Sequence, residues 1–390
     1  FRNQAKTKAI AMWTGIGCGA SALGPALAGL LLEYYGWGSA FALTIPIAVV
    51  ALILAVLVIP RELGEEATVV DHLGGVLSVL AIGLLTLGLH FVSVPSNVNI
   101  GLVFLGCSVA GFGLFAWRQL RAPNPLFDLA IAARRVFWVA ALTGLIVFGT
   151  LVGSMFIGQQ YVQNVLGYST FEAGCAALPA TVTMIAISPV AARMIERRGT
   201  RVTMALGVAV VFVGIALMLT WQEGSSYLPV GAAYAMIGIG IGMAGAPASR
   251  SIMAAVPARR AGMGSGMTDL QRDLGAAVMQ SILAIFLTRQ YTSSVDSQIS
   301  DLPQDQRDKI TSQTADIIGA SFGGAEALAQ RTPQYADAIV AGARQAFEEG
   351  SAAAIIVALI AVAIGLAVTL IGFPAKAREL ELEAGYAEER

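Results

Sequence analysis

Charged residues are scarce in this sequence of 390 residues. Asp, Glu, Lys and Arg make up 13% of it, about half of the roughly 25% typical of soluble domains. Hydrophobic residues make up 56%, and this composition over such a length indicates a polytopic membrane protein. The formal net charge is −1, so no basic surplus points to nucleic acid as a partner.

Cysteine and histidine are also rare. Three cysteines (Cys18, Cys107 and Cys175) lie in separate apolar runs, a spacing that fits neither a disulfide framework nor a metal site. Two histidines, His72 and His90, stand alone, and we interpret both as helix-end residues. The sequence has no glycine-rich phosphate loop and no Ser–His–Asp arrangement. We therefore predict no enzyme activity, no metal, no cofactor and no nucleotide partner.

Long apolar runs are what the sequence has in abundance. A helix needs roughly 20 mainly apolar residues to cross the hydrocarbon core of a bilayer. Ten segments meet this condition and predict an all-α polytopic membrane protein. They are residues 10–33, 39–60, 73–92, 99–117, 136–160, 173–192, 202–221, 228–249, 262–288 and 351–373.

The distribution of Lys and Arg predicts the orientation of these spans. Basic residues are found in every connecting segment on one side, and the four short segments on the other side contain none. Because cytoplasmic loops are enriched in Lys and Arg, we expect ten spans with both termini in the cytoplasm. Residues 289–350 then form a polar, acidic loop outside the membrane, with two or three short amphipathic helices. This loop is a solvated cap, or it shapes an exit route or holds a partner.

Three charged residues lie within one predicted span. If that span began after Asp273, the apolar remainder would be about 22 Å long, too short for a core of about 30 Å. The span must therefore include Asp269, Arg272 and Asp273, whose i, i+3, i+4 spacing places them on one helix face. Arg272 can pair with Asp269, in which case the negative charge of Asp273 is less fully neutralised.

Charges at mid-bilayer depth are costly. One charge costs at least ~2.5–3.5 kcal/mol on insertion scales, so such groups face protein or a water-filled cavity and by default mark a substrate or proton pathway. We interpret Asp269 and Asp273 as proton-coupling or substrate-binding groups, with Arg272 favouring their ionised form. The alternative is a structural ion pair that locks two helices together.

Three further motifs carry polar or small residues. "ALGPALAG" in the first span has a proline and small residues that allow close helix packing. "ARMIERRGTR" between two spans suits a tight cytoplasmic turn with a charge network, or a plain basic loop. "GQQYVQN" at the end of the fifth span lines a polar cavity, or lies in the interfacial belt. The residues concerned are Ala20, Gly24, Pro25 and Gly29; Glu196, Arg197, Gly199 and Arg201; and Gln159, Gln160 and Gln163.

Together these motifs resemble a known family. The sequence around Gly24 and Pro25 resembles the antiporter motif of the major facilitator superfamily, with alanine at Ala20 and Ala28 where the family form has glycine. "RMIERRGTR" resembles the cytoplasmic loop motif of the second half, with Glu196 for the usual aspartate. "GMGSGMTDLQRDLGAA" also fits the fourteen-helix drug:proton antiporter branch, whose members often carry Arg-Gln-Leu-Gly where this chain has Arg272 to Gly275.

The resemblance implies a domain organisation. The antiporter motif belongs to the fifth of fourteen helices, so the chain looks like a transporter that lacks its first four helices. Residues 1–60 would end the N-terminal bundle, 61–135 would hold two inserted helices, and 136–373 would form the C-terminal six-helix bundle. Residues 374–390 would be a cytoplasmic tail.

The resemblance also implies a function. The expected activity is secondary active transport in the plasma membrane, in which protons are exchanged for exported drugs or other small lipophilic, often cationic, compounds, with the proton gradient as the energy source. The expected partners are a small-molecule substrate, protons and the bilayer. The alternatives are an exporter of an endogenous metabolite or lipid, and a membrane scaffold or sensor without transport activity.

Overall fold

The described structure is built from helices. A computed structural model describes residues 24–58, 71–94, 97–257, 260–307 and 310–388, and these residues contain no β-strand. The helices are α1 (24–34), α2 (Gly38–Ala42), α3 (Thr44–Val58), α4 (His72–Ser93), α5 (Val98–Arg121), α6 (Leu129–Ala132), α7 (Arg135–Asn164), α8 (Thr170–Ala176), α9 (Leu178–Arg198), α10 (Thr200–Met218), α11 (Tyr227–Ala254), α12 (Ala261–Ser300), α13 (Gln304–Arg307), α14 (Ser312–Ala320), α15 (Phe322–Arg331), α16 (Ala336–Gly372) and α17 (Lys376–Glu388).

Nine helical segments of the described chain are long and apolar enough to cross a membrane. Each coincides with one of the predicted spans, from the pair α2 and α3 at Gly38–Val58 to the last at Pro333–Gly372. The first predicted span, 10–33, lies mostly outside the described residues. The all-α polytopic membrane fold expected from composition is therefore confirmed.

The core of the molecule is a bundle of six helices, namely α7, α9, α10, α11, α12 and α16. Helix α7 packs against α11, α12 and α16, and α10 packs against α11 and α16. Towards one end, Trp221 lies between Tyr161 and Tyr234, tilted against the first ring and edge-on to the second, with centroid distances of 5.4 and 5.8 Å. Such aromatic pairs add about 0.5–1.5 kcal/mol each beyond the area that they bury.

Helices α4 and α5 form a separate hairpin that also contacts α12. Asp71 caps α4 by accepting a hydrogen bond from the backbone N–H of Gly74 at 3.1 Å, and it pairs with Arg118 at 3.0 Å. Gln119 donates to the other carboxylate oxygen at 3.1 Å. The backbone hydrogen bond and then the Arg118 and Gln119 contacts lower the pKa of Asp71 below its ordinary value, against the opposing effect of desolvation.

The polar segment 289–350 forms a helical cap. Three short helices (α13, α14 and α15) lie within it, as expected, but both flanking spans also continue into it: α12 runs to Ser300 and α16 begins at Ala336. The tip of α14 is fixed to α12, because Tyr291 donates to the carbonyl of Ile318 at 3.0 Å and Thr292 to that of Gly319 at 2.8 Å. The end of the bundle that carries α13–α15 is called the cap end below.

Candidate substrate and proton site

Helix α12 has a buried face that packs against α7. Its buried positions recur every three or four residues, among them Gln271, Gly275 and Met279. At Gly275 a side chain would have no room, since a Cβ atom there would lie 2.4 Å from the carbonyl oxygen of Leu145. The close approach of the two backbones fixes the rotation of α12 about its own axis.

The charged residues of α12 lie away from this packed face. Asp269, Arg272 and Asp273 are all exposed in the isolated chain, as the i, i+3, i+4 spacing requires when Gln271 and Gly275 face inwards. Asp269 lies about 12 Å along the helix from Ala261 and Asp273 about 18 Å, at 1.5 Å per residue. We call these three residues the charged face.

The ion pair that the spacing of Arg272 and Asp269 allows is absent from the described structure. Within the described part of the chain Arg272 makes no salt bridge with either acid, and its guanidinium lies over the ring of Phe148 on α7, 5.1 Å from the centroid. An exposed ion pair gains about 0–1 kcal/mol, and a cation–π contact about 0.5–2 kcal/mol, so the aromatic contact is a competitive alternative. Both carboxylates are left without a partner among the described residues.

Gln271 is a residue that the sequence analysis overlooked. It lies between the two acids in sequence but is fully buried (0% exposed), and its amide donates to the hydroxyl of Ser249 at 3.1 Å. Its amide oxygen has no hydrogen-bond partner among the described residues. The four-residue spacing to Gly275 is the signal that could have assigned Gln271 to the packed face.

The three glutamines of α7 do not act as one group. Gln159 donates to the carbonyl of Ala173 at 2.8 Å, and Gln163 donates to the carbonyl of Gln159 at 3.2 Å. Gln160 makes neither of these contacts and lines a cavity at the cap end. Gln159 therefore joins α7 to α8, the hydrogen bond of Gln163 stays within α7, and Gln160 lines a cavity.

The antiporter motif packs against α8. A Cβ atom on Gly29 would lie 2.5 Å from the carbonyl oxygen of Thr170, and one on Gly174 would lie 2.5 Å from that of Pro25. Gly24 has nothing within 4 Å of such an atom, and Ala20 lies outside the described residues. Pro25 and Gly29 thus form part of a close helix contact that larger residues would prevent.

The "ARMIERRGTR" motif forms the turn between α9 and α10. Gly199 adopts a φ of 87° there, a left-handed conformation that favours glycine. Lys376 at the start of α17 donates to the carbonyls of Glu196 at 2.5 Å and Arg197 at 3.4 Å. Arg201 donates to the carbonyl of Leu370 on α16. The motif therefore joins α9 and α10 to the last two helices.

The arrangement as a whole is that of a helix bundle with charged side chains inside one of its membrane-length helices. Helix α12 is one of the helices of membrane-spanning length, and it carries two carboxylates that have no partner among the described residues. Across the described ranges, no three or more His, Cys, Asp and Glu residues are grouped so as to hold a metal ion.

Comparison with known proteins identifies the family of the chain. Residues 1–279 match the family model described as Major Facilitator Superfamily. The chain belongs to the major facilitator superfamily and is a multi-pass membrane protein.

Several curated relatives are similar to the chain. Multidrug resistance protein Stp of Mycobacterium tuberculosis is 30% identical over 306 residues, which cover 76% of this chain and 56% of Stp. The multidrug efflux pump LfrA of Mycolicibacterium smegmatis is 26% identical over 370 residues, or 95% of this chain and 72% of LfrA. Methyl viologen resistance protein SmvA of Salmonella typhimurium is 27% identical over 349 residues, or 88% and 68%. The chain thus spans little more than half the length of Stp.

Proposed function

We propose that the complete protein is a proton-coupled antiporter that exports small lipophilic, often cationic, compounds across the plasma membrane. The observation that carries this proposal is the charged face of α12, where Asp269 and Asp273 are exposed without a partner among the described residues. In a bilayer these carboxylates need water, protein or a ligand beside them, because hydrocarbon does not solvate a charge.

A carboxylate in such a place can exchange a proton for a cation. When it is protonated, it is neutral and attracts no cation; when it is ionised, it attracts one. The charged face holds two acids and one guanidinium, so it carries a net negative charge when both acids are ionised. Arg272 is held over Phe148 at 5.1 Å, which keeps its charge beside the acids without occupying either of them.

The names of the relatives support the substrate class. Stp and LfrA are named for multidrug resistance and multidrug efflux, and SmvA for methyl viologen resistance. Methyl viologen is a small aromatic dication, a substrate type that suits an acidic face.

The antiporter motif supports a mechanism in which helices move as rigid units. In transporters of this general kind, two bundles rock around a site near the midplane. The contact of α1 with α8 at Gly29 and Gly174 links the beginning of the chain to the six-helix bundle. We propose that this contact holds the two parts together on one side while the charged face is open to the other.

Efflux of a lipophilic cationic dye from everted vesicles tests the proposal. The complete protein is compared with its Asp269→Asn and Asp273→Asn forms under an imposed pH gradient. We expect gradient-dependent dye movement in the parent and loss of it in at least one of the two variants. Asp296→Asn is the matched control, because Asp296 is an exposed acid on the same helix near the cap end. Dye movement that does not depend on the pH gradient would contradict the coupling.

A further inference from the structure

A cavity of about 160 Å³ lies at the cap end, between α7, α12, α16 and the beginning of α15. It is bounded at its rim by the cap segment Ala320–Gly323. We call it the cap pocket and define it by Phe156, Gln160, Asn164, Ala284, Tyr291 and Phe322.

The walls of the cap pocket are aromatic and uncharged. Phe156, Tyr291 and Phe322 line it together with Phe347, which meets the Phe322 ring edge-on at a centroid distance of 6.1 Å. Asp, Glu, Lys, Arg and His are absent from the lining residues that the structure describes. Because the desolvation of a charge would not be offset here, the pocket favours an uncharged ligand with a flat apolar ring.

Two amide side chains of the pocket are available to a ligand. Gln160 and Asn164 are four residues apart, so both lie on one face of α7. Neither side-chain amide makes a hydrogen bond to another described residue. The hydroxyl of Tyr291, by contrast, is already used by the carbonyl of Ile318 at 3.0 Å. A ligand with one hydroxyl or N–H group would satisfy at least one of the free amides.

The volume of the pocket matches a ligand with a single ring. An engineered apolar cavity of about 150 Å³ binds benzene, whereas drug-sized ligands occupy roughly 300–1,000 Å³. The cap pocket falls close to the first of these values. It is also distinct from the charged face, since Ala284 lies about 16 Å further along α12 than Asp273 at 1.5 Å per residue.

We propose that the cap pocket is a binding site for an uncharged single-ring aromatic molecule that carries one hydroxyl or N–H group, of which phenol is the simplest example. The ring packs among Phe156, Tyr291 and Phe322, and the polar group hydrogen-bonds to the side-chain amide of Gln160. This site does not depend on the proposed transport activity and requires no proton gradient.

Fluorine NMR with 4-fluorophenol as the probe tests the site. The complete protein is held in lipid nanodiscs, and empty nanodiscs of the same composition give the signal from partition into lipid. We expect protein-dependent line broadening that saturates and that unlabelled phenol reverses. Ala284→Phe fills the pocket and should abolish this saturable broadening.

A matched pair of glutamine variants keeps the test decisive if Ala284→Phe fails to fold. Loss of one neutral hydrogen bond in Gln160→Leu should weaken the Kd about fivefold. Gln163→Leu, one turn away on the same helix but outside the pocket, should leave the Kd unchanged. Broadening that does not saturate, that survives in a folded Ala284→Phe protein, or that responds equally to both glutamine variants would overturn the proposal.

Discussion

The contact of α12 with α7 gives a stability prediction that follows directly from the structure. A Cβ atom added at Gly275 would lie 2.4 Å from the carbonyl oxygen of Leu145, whereas ordinary van der Waals contacts begin at 3.4 Å. Gly275→Ala therefore forces the two backbones about 1 Å further apart than they are now, and overpacking of this kind costs about 1–3 kcal/mol. The expected result is a lower temperature of thermal unfolding of the purified protein in detergent.

The same helix provides a control for this prediction. Gly266 has nothing within 4 Å of an added Cβ atom, so Gly266→Ala changes only the helix propensity, which favours alanine by about 1 kcal/mol. We expect Gly266→Ala to unfold at the parent temperature or slightly above it. Equal unfolding temperatures for Gly266→Ala and Gly275→Ala would refute the close contact of α12 with α7.

Three other predictions concern residues away from the charged face. The pKa of Asp71 is lowered in the folded protein, so its contribution to stability is present above the unfolded pKa of about 3.9 and is lost as the pH falls through the folded pKa. The unfolding temperatures of the parent and of Asp71→Asn, measured from pH 7 to pH 3, should therefore converge at the acid end. A constant difference between the two over this pH range would contradict the stabilising role of the Asp71 carboxylate. Gly199→Ala should destabilise the protein by about 1 kcal/mol or more in chemical denaturation, because the φ of residue 199 is 87° and the new Cβ atom would lie 2.8 Å from the Cβ atom of Lys376. An unchanged denaturation midpoint would count against the described turn. Arg344→Met should change the free energy of unfolding by at most about 1 kcal/mol, since the 2.8 Å ion pair of Arg344 with Glu223 is exposed. A larger loss in the same assay would show that the pair is part of a stronger network.

The spans could be predicted from the sequence because bilayer thickness and hydrophobicity dictate their length. Nine of the predicted spans correspond to described helices. The sequence did not predict that α12 continues to Ser300. Polar residues outside the membrane have no hydropathy signal, and only their packing against α14 shows that the helix goes on.

The candidate site was predicted in part. The spacing of Asp269, Arg272 and Asp273 predicted one shared helix face, because this follows from helix geometry alone. The partner of Arg272 could not be predicted, since Phe148 belongs to a different helix and only tertiary packing brings it close. The cap pocket was missed for the same reason, because α7, α12, α16 and the chain beside α15 each contribute to its walls.

Proton movement driven by substrate is the most direct test of the charged face as the coupling element. The complete protein would be reconstituted in liposomes that contain a pH-sensitive dye, and a gradient of a lipophilic cation would be imposed. We predict a change of internal pH with the parent and with Asp296→Asn, and none with at least one of the variants Asp269→Asn and Asp273→Asn. If both of these variants still move protons as the parent does, the charged face is not the coupling element.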